Sequence, residues 1–129
     1  MLLFKKKFIE QIKSGEKTQT IRLWKYCRMK AGQRSYIPSV GYICIDSIKP
    51  IELDQLTDAD AMLDGFPSAD ALREEIGILY TADVLARRTP YIIRFSVYPP
   101  SEQQKITEEQ NRKRAGIKEQ AQQFRHFGF

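Results

Sequence analysis

A chain of 129 residues, 42 % apolar and 11 % aromatic, holds enough apolar material for one core and too much for a disordered polymer. No apolar run approaches the ~20 residues of a membrane helix, and Met1–Phe4 meets Lys5, Lys6 and Lys7 at once, which excludes a signal-peptide core and leads us to expect a cytoplasmic protein. The net charge of +5 is segregated: residues 1–36 carry ten basic against two acidic side chains (+8), residues 37–90 four against ten (−6), and residues 91–129 seven against four (+3).

Met1–Phe4 is short and apolar and can start a strand. Phe4, Phe8, Ile9 and Ile12 recur at helical spacing with Gly15 where a left-handed cap belongs, which predicts a first helix. Thr18–Trp24 is rich in β-branched residues and alternates, with Ile21 and Leu23 on one face and Thr20, Arg22 and Trp24 on the other. A turn at Lys30-Ala31-Gly32-Gln33 leads to strands over Arg34–Pro38 and Tyr42–Ile48, and then to a further short strand over Ile51–Leu56. Thr57 caps a helix that Gly65-Phe66-Pro67 breaks, and Ser68 caps another through Ala69, Leu72 and Ile76 that ends near Gly77. Tyr91–Tyr98 is the strongest strand, and Pro99-Pro100 closes the domain. Beyond it, Ile106, Ile117, Ala121 and Phe124 give a weak helical period, so residues 99–129 read as a charged helical extension. Short strands separated by helices indicate an α+β fold.

The separation of charge is the footprint of a polyanion binder, or only a solvated face. Cys27, Cys44 and His126 match no metal-ligand spacing; we expect no metal and no cofactor, and both thiols reduced and mostly buried. Chemistry concentrates in Gly15-Glu16-Lys17-Thr18-Gln19-Thr20-Ile21-Arg22, where a lysine follows a helix cap and two threonines and an arginine alternate along a strand. A lysine partly desolvated beside Arg22 has a depressed pKa, which suits a nucleophile or a general base, and Thr20 can orient a substrate or donate to an oxyanion. The plain alternative is a solvated Lys17, with Arg22 paired to Asp46 or Asp64. Trp24 either stacks a nucleobase or packs in a secondary core; Tyr26 and Tyr36 are weaker stacking candidates. Lys25 and Arg34, within the basic segment Lys5–Arg34, are candidate RNA contacts, and Arg112-Lys113-Arg114 either touches phosphates or is solvated.

The Gly15–Arg22 segment resembles the signature of the ASCH family, G-x-K-x-x-T-x-R, preceded by an amphipathic helix. The resemblance continues through Lys30-Ala31-Gly32-Gln33, Ile43–Ile48, Leu56-Thr57, Asp64-Gly65-Phe66, Ser68 and Tyr91–Phe95, and so covers residues 1–98. It implies a PUA-like β-barrel with two or three packed helices and a cleft for RNA or a modified nucleoside. One branch of small bacterial members removes the acetyl group of N4-acetylcytidine with the motif lysine and threonine and a downstream acid; another member is a ribonuclease, and larger relatives act in transcription coactivation. By this resemblance the motif residues are Lys17, Thr20 and Arg22. The acid, a glutamate in that branch, matches Asp64 here, one methylene shorter. The resulting expectation is an RNA- or nucleoside-binding domain, with amidohydrolase and ribonuclease as alternatives.

Overall fold

The computed structural model describes the backbone of residues 1–126 and the side chains of residues 1–117. Its contacts divide the chain into two compact units, Met1–Val97 and Tyr98–Phe129.

The first unit is mixed helix and sheet. Helix α1 (Lys6–Ser14) turns Ile12 into the core and stops at Gly15, whose φ of 85° suits a residue without Cβ and lets its N–H bond to the Ile12 carbonyl. Strand β1 (Gln19–Trp24) follows, then β2 (Arg34–Ile37) and β3 (Gly41–Pro50). The strand expected at Ile51–Leu56 is instead a single 3₁₀ turn, Leu53–Gln55: Pro50, opposite Tyr91, is the last residue of the ladder, and beyond it Ile51 bonds to the Pro90 carbonyl. Helix α2 (Asp58–Leu63) opens with a capping box in which Thr57 and Asp60 satisfy each other's backbone N–H groups. Ser68 caps α3 (Ala69–Leu79), which runs through Gly77 because the buried stripe Ala69, Leu72 and Ile76 outweighs one glycine. A further helix, α4 (Ala82–Arg87), precedes β4 (Thr89–Val97).

The strands form one antiparallel sheet in the order β1-β4-β3-β2, so the long last strand lies in the middle and joins the first to the third. The sheet is open, with β1 and β2 at its edges. Its two faces bury separate cores. One gathers Leu2, Ile12, Ile37, Ile43, Ile45, Ile93 and Phe95 with α1; the other gathers Leu23, Leu56, Ala61, Leu72, Ile76 and Ile92 with α2 and α3. Met1–Phe4, expected to begin a strand, forms no ladder of its own: Leu2 donates its N–H to the Tyr36 carbonyl of β2, and the Leu3 carbonyl accepts from Arg22 of β1. Cys27 is exposed and Cys44 half-buried, both free, so the expectation of a buried thiol fails at Cys27, which lies past the end of β1.

The second unit consists of α5 (Pro100–His126). Ile117 is exposed, and the side chains of Ala121 and Phe124, which contributed to the expected period, lie outside the described residues, as does that of His126. No described helix is long and apolar enough to cross a membrane.

Candidate functional site

Three local features converge beside β1. The left-handed stop at Gly15 turns the chain, so that Lys17 bonds back to the Gln11 carbonyl and Thr18 to the Leu63 carbonyl at the end of α2. Asp64 caps α2, and Gly65, at φ 88°, turns the chain away in the left-handed region that favours glycine. Lys17 and Asp64 therefore meet, with Lys17 Nζ 2.5 Å from both the Asp64 carbonyl and Asp64 Oδ1. Their side chains are only 3 % and 4 % exposed, which makes this a buried ion pair rather than a surface one.

Aromatic rings surround the ammonium: Lys17 Nζ lies 4.7 Å from the Phe8 ring centroid, 5.8 Å from that of Phe4 and 5.9 Å from that of Phe66. Cation–π attraction offsets part of the lost hydration. Arg22 reaches the same place, its guanidinium 4.7 Å from the Phe4 ring, with Nε donating to Thr20 Oγ1 at 3.1 Å and Nη2 to the Leu3 carbonyl at 2.7 Å. Burial holds Lys17 below the ordinary lysine range against the attraction of Asp64, and the Arg22 charge pushes the same way. Burial likewise holds Asp64 above the usual carboxylate range, opposed by Lys17, Gln19 and Arg22. The two shifts bring the proton affinities of the amine and the carboxylate closer together.

These groups line a cavity of about 140 Å³ at the free edge of β1, along the seam between the two cores. Leu72, Ile76 and Leu79 of α3 form an aliphatic wall, and Tyr80 lies beyond it. Glu75, on the rim, accepts from Lys7 at 2.9 Å and stands 3.8 Å from Lys5; the Lys7 hydrogen bond holds it below its usual range. A cavity of about 150 Å³ accommodates a benzene ring, so this one matches a single planar ring and not a length of nucleic acid.

Lys17, Thr20, Arg22 and Asp64 line one cavity. Arg22 does not pair with Asp46, which accepts from Ser96 Oγ instead. Trp24 is half-buried, packs at a tilt against Tyr91 with centroids 5.9 Å apart, and lines a separate open hollow of about 300 Å³ with Tyr26, Arg28, Met29 and Gln33. Lys25 lies over the Tyr26 ring at 5.7 Å. Arg34 and Tyr36 stand on β2, at the opposite edge of the sheet from β1, where Tyr36 packs edge-on against Tyr42 at 5.0 Å. Arg112, Lys113 and Arg114 are exposed on α5, with Lys113 3.3 Å from Glu109. Among the described residues, no three His, Cys, Asp or Glu side chains gather as a metal site. The sequence reading missed Gln19, which is fully buried against Asp64, and the phenylalanines around Lys17. For Phe4 and Phe8 the available signal was their place on the same helical stripe that leads to Gly15.

No family model matches the chain, and no curated protein does at a significant level. Two solved structures share its fold. The hypothetical protein PH0355 superposes with a TM-score of 0.65 at 16 % identity, over 74 % of this chain and 95 % of its own. Protein EF3133 from Enterococcus faecalis V583, described under the family model DUF984, superposes with a TM-score of 0.58 at 16 % identity, over 70 % of this chain and 69 % of its own. At that identity the likeness is one of fold: the chain is an α+β protein built around a four-stranded antiparallel sheet.

Proposed function

We propose that the chain is a cytoplasmic ASCH domain of PUA-like architecture that takes a modified nucleoside, free or within RNA, into the Lys17 pocket. The observation that carries this reading is the buried Lys17–Asp64 pair at 2.5 Å, set beside Thr20 and Arg22 in a ring-sized cavity walled by phenylalanines. Flat aromatic walls suit a nucleobase, and the polar floor supplies donors and acceptors for its edge. The barrel-like reading of the sheet draws support from Met1–Phe4, which bonds to β2 through Leu2 and to β1 through Leu3 and so bridges the two edges.

The same pair favours a second step, hydrolysis of an acyl amide on the base. With the proton on Asp64, Lys17 presents a free amine that takes a proton from water as the water oxygen attacks the acyl carbon. Arg22 Nε donates to Thr20 Oγ1, so the hydroxyl proton of Thr20 is available to the carbonyl oxygen as it becomes an oxyanion. Lys17 then returns its proton to the departing exocyclic nitrogen, leaving a free amine on the base and a carboxylic acid.

Incubation with N4-acetylcytidine, and separately with labelled RNA, tests the proposal. Acetate release that Lys17→Arg abolishes selects hydrolysis, because arginine keeps the charge but stays protonated. Saturable binding without release selects binding alone, and shortening of the RNA selects the ribonuclease alternative. A chain that binds neither probe refutes the assignment.

A further inference from the structure

Gln19 is the one fully buried amide among the described side chains, and both of its donors and its oxygen are directed. Its Nε2 donates to the Asp60 carbonyl at 3.0 Å and to Asp64 Oδ2 at 3.2 Å, while its Oε1 accepts from Arg94 Nε at 3.3 Å. Gln19 and Arg94 face each other across the β1–β4 ladder, and Arg94 Nη2 stands 3.6 Å from Asp60 Oδ1. Asp60 is itself immobilised, because its other carboxylate oxygen accepts the Thr57 N–H in the capping box of α2. The chain of contacts runs from a half-exposed arginine, through a buried amide, to the carboxylate that meets Lys17. An amide can turn over and exchange its oxygen and nitrogen. Here a turned amide would set Oε1 against the Asp60 carbonyl and the Asp64 carboxyl and the NH₂ group against the Arg94 guanidinium, losing all three attractive contacts.

We propose that Gln19 is a positioning residue of the pocket: with its orientation fixed by Arg94, it holds Asp64 Oδ2 so that Oδ1 alone faces Lys17. One oxygen of the carboxylate is then committed to the scaffold and the other to the amine with which it exchanges a proton. The proposal rests on the reading that the Lys17–Asp64 pair performs acid–base work. It extends that reading to residues on β1, β4 and α2 that lie outside the cavity lining. The groups acting on Asp64 are Lys17, Arg22 and Gln19; Asp60 is tied to Arg94, Glu75 and Lys5 share the cavity, and Tyr80 acts on Arg22.

The test uses the whole chain carrying ¹³C-carboxyl aspartate. The Asp64 carboxyl is titrated by NMR without ligand in wild type, Gln19→Met and Arg94→Met, and acetate release from N4-acetylcytidine is followed in parallel. Gln19→Met keeps the length and removes the donor, so the Asp64 midpoint moves up, and Arg94→Met moves it the same way by less. With Oδ2 released, the carboxyl turns away from Lys17 and kcat falls about tenfold, while KM, set by the untouched pocket walls, stays within about twofold. An Asp64 midpoint equal to wild type in both variants overturns the proposal, and so does a moved midpoint with unchanged kcat. Should Gln19→Met fail to fold, Arg94→Met at its half-exposed position carries the test: it frees the amide to turn, and an unmoved Asp64 midpoint overturns the proposal. A wild type that releases no acetate refutes hydrolysis, while the ligand-free titration still decides whether Gln19 governs Asp64.

Discussion

Replacing Lys17 with methionine leaves Asp64 in the interior without its partner. The two side chains are 3 % and 4 % exposed, so the carboxylate cannot recover water by a small movement, and the Asp64 carbonyl loses the same donor. Breaking a buried pair on one side costs about 3–5 kcal/mol. Asp64 escapes part of this by taking up a proton, which places the cost at neutral pH near the lower end, about 3 kcal/mol. For a unit of this size each kcal/mol lowers Tm by about 4–8 °C, so Lys17→Met melts on the order of 15 °C below wild type. The sign of the pH dependence follows from the direction of the Asp64 shift. A carboxyl whose folded pKa lies above its unfolded value contributes stability below the unfolded pKa that is lost as pH rises through the folded one. Because Lys17 lowers the Asp64 pKa, the carboxyl titrates higher in the variant, so the deficit is smallest in acid and grows toward neutrality. Lys17→Met combined with Asp64→Leu removes both charges and refills the space, which returns most of the stability. Thermal and urea unfolding between acid and neutral pH measure all three proteins. A single variant that melts like wild type at every pH, or a double variant no better than the single one, refutes the buried-pair account.

Thr20→Val keeps the shape of the side chain and removes the hydroxyl that Arg22 orients; amide hydrolysis then falls by about 10²–10³ in kcat with the melting transition little changed, as steady-state kinetics and calorimetry can check. Binding of single-stranded RNA, followed by anisotropy, weakens by about 0.7 log units per log unit of salt for each phosphate contact, and a flat response argues against RNA as the partner. Trp24→Ala weakens RNA binding without changing that salt slope, because stacking releases no counterions, and it leaves binding of a free nucleoside in the Lys17 pocket unaltered. Thr57→Ala removes one half of the capping box of α2 and costs about 1 kcal/mol by urea unfolding.

The local signals in the sequence carried far. Helix α1 was legible from Phe8, Ile9, Ile12 and Gly15, and α2 and α3 from Thr57 and Ser68, because spacing and caps act within a few residues. Helix α4 was not, although Thr81 caps it, since six residues hold too little period to stand out. The 3₁₀ turn at Leu53–Gln55 passed for a strand because Ile51 and Leu53 are as apolar as strand residues and the departure from the ladder depends on Pro50 and β4. The strand order with β4 between β1 and β3 depends on contacts across more than forty residues, which no window contains. For the site, the motif gave Lys17, Thr20 and Arg22, and the resemblance gave Asp64. Alternation alone put Trp24 beside Arg22, but its indole turns to Tyr91 and away from the cavity. Gln19 was silent, since a glutamine between two threonines looks like any polar strand residue until α2 is packed on it.

The cavity lies along the seam where two cores on opposite faces of one sheet meet, and this makes the melting temperature an assay for an unknown ligand. A molecule wedged there touches α1 on one side and α3 on the other, so unfolding of either core must first release it. At a free concentration of one hundred times its Kd, such a ligand adds about 2.7 kcal/mol to stability, which is on the order of 15 °C for a unit of this size. A panel of nucleosides screened by dye-monitored melting would rank candidates with no assumption about chemistry. A ligand that raises Tm in wild type and not in Lys17→Arg would mark the pocket as its site of action.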